Sequence, residues 1–184
     1  MDITALKVAG AALIEIERLN DERGFFARGF CQREFRDAGL NLDVVQTNLS
    51  HNLHKGTLRG LHYQAAPHPD PKLVSCIQGE IFDVVVDLRA GSDTYLQWSG
   101  VDLSALNHRA VFVPPGCAHG FITLSDNAVV HYQMGAEFVA DLARGVRWDD
   151  PAFAIEWPLR PAVMSARDAH YDDFGGLDDR KGGG

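Results

Sequence analysis

Between Val44 and Met134 the sequence breaks into eight short runs in which apolar and polar residues alternate, with glycine or proline in most of the gaps. A period of two turns one face of each run toward a core, and punctuation this frequent leaves little length for helices. The runs are Val44 to Ser50, Thr57 to Gln64, Leu73 to Gln78, Ile81 to Leu88, Trp98 to Leu103, Ala110 to Val113, Gly120 to Leu124 and Ala128 to Met134. They predict an all-β chain, an antiparallel sandwich or barrel that turns at Gly79, Gly91 and Pro114-Pro115-Gly116. One short helix is expected at Arg33 to Ala38 and a helical turn at Ser165 to Ala169. Nothing repeats at a fixed period and no linker divides the chain. Residues 1–174 therefore read as a single domain, and residues 175–184, rich in glycine, as a frayed tail.

Composition narrows the function. Lys and Arg number 17 against 25 Asp and Glu, a formal net charge of −8, which argues against partnership with nucleic acid or anionic membrane. The apolar stretch Val8 to Ile14 is cut off by Glu15 and Glu17, so it reads as neither a membrane span nor an export signal. Cys31, Cys76 and Cys117 are odd in number and form no CxxC, which suits a reducing cytoplasm.

The ionisable residues carry the rest. In Ile81 to Leu88 alternation sets Asp83 and Asp87 on the face of Ile81 and Val85, either inside an enclosed site or at a wet sheet edge. Arg59 and His62 fall on opposite faces by simple alternation, but Gly60 between them invites a bulge that turns both the same way. Lys72, His119, Tyr132 and Asp168 stand in or beside expected strand ends, where a curled sheet gathers distant residues in one mouth. Taken alone, Tyr132 reads as a packing aromatic and Lys72 as a loop lysine after Pro71. The segment Pro114-Pro115-Gly116-Cys117-Ala118-His119-Gly120 resembles the second motif of cupins, whose first motif offers a His-x-His pair and a later Glu as metal ligands. Leu61-His62-Tyr63 has one histidine, so no metal is expected. His51, His54, His68, His108, His131 and His170 read as surface residues.

The stretches Asp21 to Phe26, Leu58-Arg-Gly-Leu-His-Tyr-Gln64, Lys72-Leu-Val, Gly79 to Asp87, Pro115 to Phe121, Arg147-Trp-Asp-Asp-Pro151 and Ser165-Ala-Arg-Asp168 resemble the dTDP-4-dehydrorhamnose 3,5-epimerases, in the family's order. The resemblance implies a cupin-type jelly-roll β-barrel with a few short helices, usually a homodimer, acting without cofactor on a nucleotide-linked 4-keto sugar. By it, His62 matches the general base, Asp168 its orienting partner, Lys72 the cation at the C4 oxygen and Tyr132 the opposing acid. Arg23, Gln46, Asn48, Arg59, His119, Phe138 and Arg167 match substrate-binding positions, with Arg23 reaching into a partner's site. The chain departs from the family's pattern at Arg28, Glu137 and Ala143, on the nucleotide side, and carries Arg167 where Lys is more usual. Inversion at C3, C5 or both, another nucleotide, and a binding cupin without turnover stay open on these residues.

Overall fold

The computed structural model describes residues 1–175. Its strands are β1 (Asp2–Ala5), β2 (Ala12–Glu15), β3 (Arg18–Asp21), β4 (Gly24–Ala27), β5 (Gln46–Asn52), β6 (Leu58–Gln64) and β7 (Lys72–Gln78). They continue through β8 (Glu80–Asp87), β9 (Trp98–Ser104), β10 (Ala110–Val113), β11 (Cys117–Thr123), β12 (Ala128–Met134) and β13 (Ala143–Gly145), and the helices are α1 (Gln32–Asp37) and α2 (Ala166–Ala169). All eight expected strands are present, with ends moved by up to three residues. The strands β1 to β4 and β13 are additions that no alternating run announced. Among the described residues no helix is long and apolar enough to cross a membrane. The expected tail lies, from residue 176 onward, outside the described residues.

Two antiparallel sheets face each other. One has the order β1-β2-β10-β7-β12-β5 and the other β13-β6-β11-β8-β9, while β3 and β4 form a separate hairpin. This is the all-β jelly roll expected. Val74, Cys76, Val111 and Val130 of the first sheet pack against Ile81, Val85, Leu103 and Phe121 of the second to fill the space between them. Burial of that apolar surface is the main stabilising term, at roughly 25 cal/mol per Å². The outer face of the first sheet is covered in part by α1, whose buried Phe35 stacks edge-on against Phe30 and Phe112. The outer face of the second is covered by the segment after β13, through Val146, Phe153 and Trp157.

Register decides which side chains look inward. Val85 lies opposite His119 and Asp83 opposite Phe121, so Asp83, Val85 and His119 share the inner face, as the period of two required. Across β6 and β11, His119 pairs with His62 but Phe121 pairs with Arg59, so Gly60 and Leu61 together oppose Gly120. The bulge therefore exists, and it returns Arg59 and His62 to one face. On the first sheet Tyr132 pairs with Val74 and Asn48, and Met134 with Lys72 and Gln46, which sets all of these inward too.

Candidate active site

The inner-face polar residues gather along β5 and β12 on one wall and β6 on the other. Both sheets have an edge there, and β13, pairing with β6, extends the second wall. Asp168 reaches this wall from α2, where Ser165 caps the helix by accepting the Asp168 backbone N–H at 3.0 Å. Its carboxylate lies 2.7 Å from His62 Nε2 and accepts the Gly60 backbone N–H at 3.3 Å. Burial pushes the Asp168 pKa up, but the hydrogen bond and charge of His62 and the bonds from Gly60 and Ser165 outweigh it and hold the carboxyl below its ordinary value. An ionised carboxylate only accepts, so Nε2 donates to Asp168, and Nδ1 is the ring nitrogen that Asp168 does not engage.

A second His–Asp pair stands beside the first. His119 Nε2 lies 2.7 Å from Asp83 Oδ2, and both side chains are buried. The ring of His119 sits 6.0 Å edge-on from that of Tyr132, which links the wall of His62 to the wall of Tyr132. Burial, and then the charge of Asp83, raise the Tyr132 pKa, while Arg59 opposes them. Arg59 reaches across between the sheets, its Nε donating to Asn52 Oδ1 at 2.7 Å. Sequence alternation left Asp83 and Asp87 either enclosed or wet; both are buried at 1% and 0% exposure.

Lys72 is buried with its ammonium 2.7 Å from Asp70. A cavity of about 220 Å³ is lined by His62, Gln64, Lys72, Phe138, Arg144 and Arg167, among others. An adjoining one of about 330 Å³ is lined by Gln46, Asn48, Gln64 and Phe138. Phe138 is 66% exposed and shared by both, its N–H donating to Gln46 Oε1 at 3.2 Å. Tyr132, His119 and Arg59 line neither cavity but lie on the same inner face. Arg23 is not brought to this chain's own site: it stands at the tip of the β3–β4 hairpin, 84% exposed and paired with Asp21.

Two residues with structural weight here drew no role from the sequence. Gln64 is a buried junction: its side chain donates to the carbonyls of His68 and Glu137 and accepts the Val139 N–H. Arg144 joins the cavity wall from β13. Neither residue carries a local signal, since what matters is where the loops around them return. At the three departures, Arg28 pairs with Glu34 of α1, Ala143 borders the smaller cavity, and Glu137 meets Gln64 through its backbone carbonyl.

The sequence profile of the dTDP-4-dehydrorhamnose 3,5-epimerases matches residues 5–175, nearly everything the structure describes. The chain belongs to that family. A Methanothermobacter thermautotrophicus dTDP-4-dehydrorhamnose 3,5-epimerase is 45% identical over 165 residues, covering 88% of each chain. The crystal structure of the Elizabethkingia anophelis epimerase superposes with a TM-score of 0.91 at 36% identity, covering 95% of this chain and 96% of that one. The Legionella pneumophila dTDP-6-deoxy-D-glucose-3,5-epimerase, solved in complex with dTDP-4-keto-L-rhamnose, gives 0.84 at 39% identity over 91% and 89% of the two chains. As a member of this epimerase family, the protein has the isomerase class and jelly roll that its sequence led one to expect.

Proposed function

We propose that the protein inverts C3 and C5 of dTDP-4-dehydro-6-deoxy-D-glucose, giving dTDP-4-dehydro-L-rhamnose through an enolate. The observation that carries this reading is the His62–Asp168 pair at the wall of the cavity that Lys72 also lines. A hydrogen beside a ketone is weakly acidic, and removing it leaves charge on the ketone oxygen. The site must therefore supply a base and a preplaced cation together. His62 Nδ1 takes the proton, the C–H electron pair moves onto the C4 oxygen, and the Lys72 ammonium holds the enolate. Tyr132 then delivers its phenolic proton to the opposite face of the same carbon. Its raised pKa keeps that proton in place until a base as strong as the enolate carbon stands before it. The histidine's new proton and the tyrosine's lost one are exchanged with water, and the cycle repeats at the second centre.

Gln46, Asn48 and Phe138, along the larger cavity, take the nucleotide, with Phe138 stacking on the base, while Arg167 meets diphosphate. Arg59 and His119 contact the sugar side. All proton carriers are side chains, so the reading calls for no cofactor. The working form is a homodimer. Its support is the β3–β4 hairpin, which exposes Leu19 at 63% and Phe26 at 74% and presents Arg23 for a second copy's site. A cavity of about 470 Å³ on the outer face of the first sheet, beneath Phe25 of that hairpin, adds to the covering surface. The three unpaired cysteines support a cytoplasmic setting.

Incubation with dTDP-4-dehydro-6-deoxy-D-glucose in deuterated water tests the reaction. Deuterium is expected at both C3 and C5, exchange at one carbon marks a single-centre enzyme, and exchange at neither sinks the reading. His62→Ala and Tyr132→Phe each lower turnover by about 10²- to 10⁴-fold while TDP still binds.

A further inference from the structure

The charge partner of Lys72 has no part in the chemistry described so far, yet it is the better built half of the pair. Lys72 is 6% exposed and Asp70 13%, and Asp70 Oδ2 stands 2.7 Å from Nζ. The other carboxylate oxygen, Oδ1, accepts the backbone N–H of Gln64 at 3.0 Å. Gln64 ends β6, two residues after His62, so Asp70 is bonded on one side to the strand of the base and on the other to the cation. Gln64 in turn holds the carbonyl of His68 at 2.6 Å, within the loop that carries Asp70. Both neighbours of Asp70, Pro69 and Pro71, fix their own φ, which leaves the carboxylate few ways to leave this position.

We propose that Asp70 is the positioning residue of Lys72, tying the ammonium to β6 at a fixed offset from His62; this rests on the enolate reading of the site. A buried ammonium without a counter-ion is costly, so between turnovers Lys72 would otherwise turn toward solvent. Paired with Asp70 it stays in place. An ammonium has three N–H donors, and the pair uses one toward Asp70, leaving others for the C4 oxygen as it becomes anionic. Base and cation are then spaced by one chain of bonds, Gln64 to Asp70 to Lys72, rather than only by the packing of two separate sheets.

Asp70→Asn separates positioning by charge from mere anchoring of the loop, because the amide oxygen still accepts the Gln64 N–H while the carboxylate charge is gone. Wild type, Lys72→Ala, D70N and Asp70→Ala are compared by kcat, KM, deuterium wash-in, TDP affinity and melting temperature. The expected result for D70N is a fall in kcat on the order of 10- to 100-fold, the size of a small misplacement of a catalytic group, with TDP affinity unchanged and the melting temperature lowered by the unpaired ammonium, so kcat is read well below it. In D70A, added formate restores part of kcat and chloride at the same ionic strength does not, which also serves if D70N folds poorly. A wild-type kcat in D70N, a kcat raised by the loss of the carboxylate, or an equal response of D70A to both salts overturns the proposal while leaving the epimerase intact. A wild-type protein that exchanges no deuterium removes the enolate reading itself, and a Lys72→Ala variant of full activity removes the lysine's share of it.

Discussion

Asp87 is fully buried, and its carboxylate accepts from Arg89 Nε at 2.8 Å, Ser92 Oγ at 2.6 Å and Thr94 Oγ1 at 2.7 Å. Burial pushes its pKa up, but those bonds more than offset it and bring the value down to about 2. A carboxyl lowered on folding stabilises the native state above its unfolded pKa, near 3.8, and that contribution fades as pH falls from there toward 2. Urea midpoints are therefore expected to drop across that window in wild type and to drop less in Asp87→Asn. The variant is weaker by about 2 kcal/mol at neutral pH. An identical acid profile in both proteins would refute the assignment. The period of two in Ile81 to Leu88 was enough to put Asp83 and Asp87 on one face with Ile81 and Val85, but not to say whether that face was enclosed. It could not say what closes over them, because Arg89, Ser92 and Thr94 belong to a turn with no period. His62 and Asp168 are 106 positions apart, and no local pattern pairs them; only the family resemblance did.

At the scale of elements, β6 carries the site because of one irregularity. Gly60 has φ +131°, and a Cβ there would stand 2.6 Å from Gly120 Cα, so both strands need glycine where they close on each other. Gly60→Ala is expected to lower the melting temperature and to lose turnover along with it, by pushing Arg59 and His62 out of their common face. A thermally normal, fully active variant would show that the bulge tolerates a side chain. The sequence carried this feature as a glycine between two polar residues in an apolar run. It carried no sign of β3 and β4, whose side chains are almost all exposed and so have no inner face to mark with a period. The three-residue β13 is likewise held only by pairing with β6, which no property of Ala143 to Gly145 foretells. The helix α1, offset by one residue from its expected position, was legible because Glu34 and Asp37 suit a surface face, and Phe35 proves to be its single buried residue.

The whole molecule is two sheets with one side of each used for chemistry and the other for cover. The first sheet's cover is incomplete, with Leu49 at 67% and Ile77 at 53% exposure besides the hairpin's Phe26. Sedimentation equilibrium is expected to give twice the mass of one chain, and Phe26→Glu to shift the population toward monomer and to lower turnover as Arg23 leaves the neighbouring site. A wild-type monomer at micromolar concentration with full turnover would contradict this. The second sheet's cover is the segment after β13, and α2 comes near its end with Asp168. That order has a temporal side. During translation every strand of both sheets precedes Asp168 and Arg167, so a growing chain can pair its sheets before either side chain reaches the site. The carboxylate that bonds His62 is therefore in place only once α2 has docked against β6.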